Sequence, residues 1–460
     1  MNNSIQQQIY NKLSNSTIEN LKNLSYNSFT PIQEKTLLIT LEGKDLIAKA
    51  KTGSGKTAAF GIPIIEKLDI KYFRIQAIVL CPTRELANQV ANELRNLAKS
   101  KHNIKITLLC GGVPYKPQVH SLSHQAHIVV GTPGRILKHL QEGNFSTKDI
   151  DTFVLDEADR MLDMGFIEDI KSIIEFLPKN RQNMLFSATY PIKIESLTQE
   201  FMNSPYIVEA QSLHSQSTIN QYFYQVNSSE EKNYLILKTL QEYKPISTII
   251  FCNTKLACKA LSSELDSFGL EALELHSDYD QKERNEVLAL FSNKSYPLLI
   301  ATDVASRGLD IDDVELVINY DLPQDIENYI HRIGRTARAG KSGVAISCVE
   351  NIELFKDIVA FSNSDSKLLD ITIEPLDKKF ELNSPYKSIF INGGKKQKLN
   401  KGDIVGALMA SKQISKDDIG KIITYDFSSY VAVKNEVSHI ALELLNNQKI
   451  KAKYYKAFLK

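Results

Sequence analysis

The chain has 460 residues, 43% of them hydrophobic and 24% charged, a balance usual for globular proteins and a length that suits about three domains. It contains no eighteen-residue apolar window of the kind that spans a membrane, and its N-terminus lacks the basic-then-apolar order of a secretory signal. The net charge of +1 conceals an asymmetry, because the stretch from Phe380 onward holds fourteen lysines against seven acids while the remainder is acidic; the tail therefore carries the electrostatic footprint of a polyanion binder.

Leu46, Ile47 and Ala48 read as a buried strand, and the residues from Lys56 to Ile62 as the start of a helix. Between them lie Ala50, Lys51, Thr52, Gly53, Ser54 and Gly55, mostly small, which let successive backbone N–H groups converge on one anion at the positive end of a helix. Lys56 would reach the outer phosphates of a nucleoside triphosphate, and the Thr57 hydroxyl would ligate magnesium. Ala50 stands where this pattern usually has its first glycine. A glycine-rich turn before an ordinary helix is the bland alternative; the strand-loop-helix setting and the adjacent Lys-Thr favour the phosphate cradle. Apolar runs at 77–80 and 128–130 alternate with helical stretches such as 87–98, which predicts a parallel sheet covered on both faces and extending to about residue 208. Such sheets gather ligands at the carboxyl ends of their strands. Asp156, at the end of the apolar run 152–155, is placed to hold magnesium through water, and Glu157 to orient or deprotonate a water attacking the outer phosphate. Alone, these acids would equally suit the first turn of a solvated helix. A polar, serine-rich stretch predicts a linker at 209–220, after which the alternation restarts at 247–251 and fades near Phe361; this gives lobes at 1–208 and 221–362, with a second linker at 363–385. Cys81, Cys110, Cys252, Cys258 and Cys348 form no C-x-x-C pair and lie in or beside strand-like runs, so buried reduced thiols and a cytoplasmic setting are expected.

Further segments fall in an order that resembles the DEAD-box RNA helicases over roughly residues 20–350. Thr30-Pro31-Ile32-Gln33 is similar to that family's Q motif, which implies that Gln33 reads the adenine edge of ATP. The family commonly has a Phe upstream to stack on adenine; here the nearest aromatic is Tyr10, out of register. Pro82-Thr83-Arg84, Gly111-Gly112 and Thr132-Pro133-Gly134-Arg135 look like the RNA-contacting segments of the first lobe, with Pro82, Thr83, Arg84, Gly112, Thr132, Pro133 and Arg135 as contacts that carry no base identity. Ser187-Ala188-Thr189 resembles the segment that couples the ATP site to strand separation, a role this implies for Ser187 and Thr189. In the second half, the resemblance implies RNA contacts for Asn253, Thr302, Asp303 and Gly308, a ribose contact for Asp310, and a link from His331 to the acidic motif. Arg335 and Arg338 would be arginine fingers, supplying the positive charge that such a site needs at its transition state. Arg332, Arg335 and Arg338 recur every three residues and are expected to share one helical face or its leading turns; a solvated basic surface is the plainer account. The implied architecture is α/β, two tandem RecA-like doubly wound parallel-sheet lobes clamping ATP and an RNA backbone, with ATP and magnesium as cofactors.

From Lys387 the predicted order is strand (388–391), helix (402–410), strand (419–424), strand (430–433), helix (437–445) and strand (453–459), the β-α-β-β-α-β arrangement of an RRM-like α+β domain at 386–460. The usual stacking aromatics of the RRM are not recognisable, since Tyr430-Val431-Ala432-Val433 offers one ring. Lys395, Lys396, Lys398, Lys451 and Lys453 present an alternative basic surface. The segments 391–396, 402–408 and 419–422 are similar to the tail domain of the DbpA family of bacterial helicases. This implies recognition of a 23S ribosomal RNA hairpin in the precursor of the large ribosomal subunit; nothing in the sequence demands more than a monomer. A lysine-rich surface with non-specific, salt-sensitive affinity is the bland alternative. The motifs do not separate a strand-separating enzyme from an ATP-gated RNA clamp or general RNA chaperone, because both must close on RNA; Gln33 and the Asp-Glu-Ala-Asp spelling argue against a DNA motor.

Overall fold

The computed structural model of the chain describes residues 2–50, 54–189, 192–209, 219–303, 314–337, 342–362, 366–377 and 380–460. The expectations at Lys51, Thr52, Gly53, Gly308, Asp310 and Arg338, and most of the linker expected at 209–220, fall outside these residues. The chain divides into two compact units, one holding residues 1–215 and the other most of residues 216–460.

The first unit is built on a sheet of seven strands, β1 (Leu46–Lys49), β2 (Ala77–Leu80), β3 (Ile106–Leu109), β4 (Ile128–Gly131), β5 (Thr152–Asp156), β6 (Gln182–Ser187) and β7 (Tyr206–Glu209), in the order β3-β4-β2-β5-β6-β1-β7. Every pairing is parallel. The central strands are buried on both faces, as parallel sheets require; β2, β4 and β5 are largely apolar runs, while β6 buries Gln182 and Asn183 before its apolar residues. Helices cover both faces; one face packs Ala58, Phe60 and Leu94 over Val79 and Val154, and the other packs Ile136, Met161 and Ile173 over Ile78 and Phe153. Since all seven strands point the same way, their carboxyl ends form one edge, and the loops leaving that edge carry the predicted motifs.

The second unit repeats the plan with β8 (Ile219–Gln225), β9 (Thr248–Cys252), β10 (Leu273–Leu275), β11 (Leu298–Thr302), β12 (Leu316–Asn319), β13 (Gly343–Val349) and β14 (Leu368–Leu369), in the order β10-β11-β9-β12-β13-β8-β14, again parallel. The stretch expected to link this lobe to the tail lies along it. Leu368–Leu369 adds the edge strand, Ile371, Leu376, Phe380 and Leu382 pack on the core, and Glu374 pairs with Lys238 at 2.6 Å.

The tail forms a four-stranded antiparallel sheet, β15 (Tyr386–Ile391), β16 (Ile419–Thr424), β17 (Ser429–Lys434) and β18 (Ala457–Leu459), in the order β16-β17-β15-β18, with helices Lys401–Met409 and Ser438–Asn447 on one face. The expected β-α-β-β-α-β order is thus present. The last strand is shorter than predicted, because residues 450–453 turn back on themselves through a bridge between Ile450 and Lys453. Much of the sheet's other face is covered, although Phe458 on its edge strand stays half exposed. Phe390 and Tyr430 lie on it with Ile423 and Tyr425 and pack against Ala289 and Leu290 of the second lobe's Gln281–Ser292 helix. Polar contacts seal the rim: Tyr430 Oη donates to Glu286 Oε2 (3.2 Å), Tyr425 Oη to the Asn285 carbonyl (2.9 Å) and buried Asn293 Nδ2 to Ser388 Oγ (2.8 Å), while Lys460 pairs with Glu286 at 2.6 Å.

Candidate nucleotide and RNA sites

Three strand ends of the first lobe meet at Ser187. Strand β6 runs between β5 and β1, so its last residue lies beside both the acidic turn and the start of the phosphate loop. The Ser187 carbonyl accepts the Ala50 N–H (2.9 Å), and its hydroxyl accepts the Asp159 N–H (3.2 Å). Asp159 extends the connection. Its Oδ2 accepts from the Ala188 N–H (3.0 Å), the Thr189 N–H (2.9 Å) and the Thr189 hydroxyl (3.2 Å). Ser187 and Thr189, expected to be coupling residues, are therefore bound directly to the acidic motif. Asp159 was missed by sequence reasoning, although it is the last letter of the same four-residue motif.

The phosphate loop closes onto the helix Lys56–Lys67 through Gly55, which adopts the left-handed conformation (φ 92°). A Cβ there would overlap the Gln33 amide, so the position demands glycine on both conformational and steric grounds. Gln33 is almost fully buried. Its Oε1 accepts the Thr30 N–H (2.9 Å) and its Nε2 donates to the Gly55 carbonyl (3.1 Å), while the Thr30 hydroxyl donates to the Ser54 carbonyl (2.8 Å). One amide hydrogen and one lone pair of Gln33 are left over by this pair of bonds. Buried Lys56 donates from its Nζ to the Ala50 carbonyl at 3.0 Å. Thr57 occupies the next position in the helix. Tyr10 packs on Phe29, ring centres 5.2 Å apart, within the apolar core under the Q-motif helix.

Asp156 and Glu157 are 2% and 4% exposed. Burial raises the Asp156 carboxyl well above its usual range; the Lys56 ammonium draws it back down, and Glu157 pushes it further up. Asp156 Oδ1 is buried with no hydrogen-bond partner. Glu157 adopts a left-handed backbone (φ 54°, ψ 54°), a conformation worth about 1–3 kcal/mol of strain for a residue with a side chain. Its carboxylate lies 2.9 Å from Arg160 Nη1, both groups nearly buried. A strained, buried carboxylate at a strand end is the kind of placement found where chemistry, rather than stability, sets the geometry.

The loops after β2, β3 and β4 occupy the rest of the same sheet edge. Thr83 caps the helix Arg84–Leu97 by accepting the Leu86 N–H, and Thr132 precedes the helix Pro133–Gln141 and accepts the Gly111 N–H at 3.3 Å. Pro82 is buried behind the cap. Arg84 lies over Gly112, where a left-handed φ of 67° and the guanidinium together leave no room for a Cβ; one of its terminal nitrogens is buried without a hydrogen-bond partner. Arg135 donates to the Val113 carbonyl (3.1 Å) and Gln118 Oε1 (2.9 Å). Helix N-termini, oriented N–H groups and arginines along one edge suit a phosphate backbone.

In the second lobe the arginine spacing resolves differently from expectation. The helix Ile326–Ile333 ends before Arg335, so Arg332 and Arg335 share no helical face. A turn at Gly334 leads into a bridge between Thr336 and Val314, secured by a 2.5 Å bond from the Thr336 hydroxyl to the Val314 carbonyl. Arg332 turns inward and is 1% exposed. It grips Asp303 with two bonds (2.7 and 2.6 Å) and reaches Asn253 Oδ1 (2.8 Å), Asn319 Oδ1 (3.3 Å) and the Asp321 carbonyl (2.6 Å), tying together the ends of β9, β11 and β12. Asn253 and Asp303, expected at the RNA, are thereby fixed beside Thr302, the last residue of β11; His331 lies in the last turn of the same helix as Arg332.

In the tail, Lys395, Lys396, Lys398, Lys451 and Lys453 are all exposed. The lysine turn rests on the β16–β17 loop, with Lys395 N–H donating to the Tyr425 carbonyl and Lys396 N–H to that of Asp426, each at 2.9 Å. Lys451 Nζ bonds the Lys398 carbonyl at 3.1 Å, so the two basic loops are neighbours.

Comparison with known proteins accounts for all three parts. Residues 30–197 match the DEAD/DEAH box helicase model, 231–340 the helicase conserved C-terminal domain and 388–457 the DbpA RNA binding domain. The chain is 45% identical to the ATP-dependent RNA helicase DbpA of Escherichia coli (strain K12), over 96% of this chain and 97% of that protein. It is 38% identical to DbpA of Bacillus subtilis (strain 168), over 97% of each. Among solved structures, Mss116p bound to single-stranded RNA and AMP-PNP superimposes with a TM-score of 0.71 at 28% identity, covering 80% of this chain and 78% of that one. With two parallel sheets of the same plan, the Asp-Glu-Ala-Asp turn bonded to Ser187 and Thr189, and a matching tail, the chain belongs to the DbpA family of DEAD-box ATP-dependent RNA helicases.

Proposed function

We propose that the chain is an RNA-stimulated ATPase that opens short duplexes locally in 23S ribosomal RNA of the precursor large subunit, acting in the cytoplasm as a monomer. Residues 386–460 direct it to a hairpin, while residues 1–208 and 221–362 act as the ATP-driven lobes. The observation that supports this most directly is the convergence at Ser187 and Asp159, whose hydrogen bonds join the phosphate loop, the acidic turn and the coupling segment.

In this reading the loop at 50–57 holds the triphosphate, with Lys56 exchanging its Ala50 carbonyl for the outer phosphates. The unused amide hydrogen and lone pair of Gln33 read the adenine edge. Magnesium fits the residues present: the Thr57 hydroxyl would be a hard oxygen ligand of the kind it accepts, and the unpartnered Asp156 oxygen would hold it through water. When bound, the ion neutralises charge on the phosphate oxygens. Glu157, held in place by its backbone and by Arg160, orients the attacking water and takes its proton. Arg335 and Arg338 supply the guanidinium charge needed at the transition state, Asp310 holds the ribose, and His331 links to the acidic motif. Asp303 acts as a positioning residue, since both of its oxygens bind Arg332.

The test is strand separation of a short RNA duplex adjoining the 23S hairpin, with and without ATP, alongside ATPase assays comparing ribosomal RNA with unrelated RNA of equal length. Separation that requires ATP, and turnover favouring ribosomal RNA, support the reading. RNA held tightly in ATP without separation would make the chain a clamp, and equal stimulation by both RNAs would remove the ribosomal target.

A further inference from the structure

The turn that leaves β3 is held at each of its four residues by a neighbouring part of the first lobe. The Gly111 N–H goes to the Thr132 hydroxyl (3.3 Å), the Arg84 guanidinium lies over Gly112, and the Val113 carbonyl accepts from Arg135 Nη1 (3.1 Å). The Cys110 carbonyl is held by Gln118, a residue outside all of the segments expected at RNA, whose Nε2 donates to it at 2.9 Å. Gln118 lies one turn into the helix Tyr115–Ser123 and is buried.

A backbone carbonyl can only accept, so the Gln118 nitrogen faces Cys110 and its oxygen is left to two donors. Arg135 Nη1 reaches that oxygen at 2.9 Å and His139 Nε2 at 3.0 Å. The His139 ring is buried, and its Nδ1 has no hydrogen-bond partner among the described residues. Burial, and then the Arg135 charge, hold this imidazole down at about 4, so it is neutral and carries its one proton on Nε2, toward Gln118. Tyr115, one turn before Gln118, stacks on His139 with ring centres 4.4 Å apart, and the Arg135 guanidinium carbon lies 5.4 Å over the Tyr115 ring. The Tyr115 hydroxyl is fixed in turn by Glu142 Oε2 (2.7 Å) and Asn144 Nδ2 (2.8 Å). Val113 and Gln118 together occupy Nη1 of Arg135. Its Nε and Nη2 make no hydrogen bond among the described residues, and they are the parallel donors of the guanidinium's side, the fork that fits a phosphate.

We propose that Gln118 is a positioning residue for RNA binding: its amide, oriented by His139, ties Arg135 to the turn after β3 so that the free side of the guanidinium is presented to a phosphate in a fixed direction. Affinity is gained because the long arginine side chain is ordered before RNA arrives. This deepens the function proposed above and rests on the RNA contact expected there of Arg135.

The test is a double-mutant cycle on the full chain, reading the binding of a fluorescent single-stranded RNA of unrelated sequence in a saturating non-hydrolysable ATP analogue. Gln118→Met keeps the length of the side chain and removes its amide. It is expected to weaken RNA binding about tenfold, inside the range of about 2- to 150-fold that coupled neighbours span, with ATP affinity in the absence of RNA unchanged. In steady state the RNA concentration giving half-maximal ATPase should rise by a similar factor, while kcat at saturating RNA holds. His139→Leu frees the amide without removing it and should act in the same direction by about threefold. Both losses should fall below about twofold in an Arg135→Ala background, because the amide acts through that guanidinium, whereas a loss of folding would persist there. Gln118→Met with wild-type RNA affinity beside a weakened Arg135→Ala would overturn the proposal alone, as would an undiminished loss in the double variant. Unchanged RNA affinity in Arg135→Ala would overturn it together with the contact on which it rests. A chain indifferent to ribosomal sequence would remove the ribosomal target and leave this proposal standing, because the probe is unrelated RNA.

Discussion

Asp159→Asn isolates the connection between the acidic turn and the segment after β6. One carboxylate oxygen, in a residue only 6% exposed, accepts three bonds of 2.9 to 3.2 Å, and the other accepts the Arg160 N–H at 3.0 Å. Bonds to a charged acceptor contribute about 1.5–3 kcal/mol against about 0.5–1.5 for a neutral one, so an isosteric amide with its oxygen toward Ala188 and Thr189 should lose about 1 kcal/mol per bond, about 3 kcal/mol in all. Its NH₂ then faces the Arg160 N–H, donor against donor. Because all three bonds converge on one side chain, the loss should appear as local opening, measurable by hydrogen exchange at the Ala188 and Thr189 amides as protection reduced on the order of a hundredfold. If Asp159 carries the connection, ATP binding should survive while strand separation per ATP consumed falls. Wild-type protection of both amides in the variant would refute the energetic argument. Intact protection with lost coupling would show that the connection runs through other contacts.

The same geometry sets three further expectations. Glu157→Gln keeps the shape of the turn but removes the base, so ATP affinity should hold while kcat falls on the order of 10²–10⁴; unchanged phosphate release would take Glu157 out of the chemistry. Arg335→Ala should lower kcat by about 10³ or more with little change in ATP affinity, as a group acting on the transition state must, and equal losses in both would mark a ground-state contact. Gly55→Ala should place a methyl in the Gln33 amide and add left-handed strain, weakening ATP binding at least tenfold in an equilibrium titration; normal affinity would mean that the Gln33–Gly55 bond is dispensable.

Much of this architecture is legible along the chain because its determinants are local. Strands β2, β4 and β5 are unbroken apolar runs, and the phosphate loop is recognisable because small residues must stand at fixed spacing between a strand and a helix. The strand β8 (Ile219–Gln225) escaped that logic. It carries Asn220, Gln221 and Gln225 and is buried only in part, so its sequence lacks the apolar signal although it pairs along its full length with β13. Arg332 escaped for a different reason: spacing of three says which residues neighbour one another, not which side of the helix the core will claim. Only the convergence of three strand ends reveals that its guanidinium has five acceptor bonds waiting inside.

The aromatic face of the tail shows the same limit on a larger scale. Phe390, Tyr430 and Phe458 come from three strands, and only the antiparallel register, Phe390 opposite both Tyr430 and Phe458, makes them one surface. An RRM-like sheet bearing these rings would ordinarily be read as an RNA platform, yet two of them meet apolar residues of the Gln281–Ser292 helix instead. The first turn of that helix is fixed by a capping box between Asp280 and Glu283. The same twelve-residue helix of the second lobe carries the docked tail along its later turns. Apolar packing, a buried Asn293–Ser388 bond and a Glu286–Lys460 pair hold this joint, so the aromatic face that the register assembles is taken up by the fold of the second lobe.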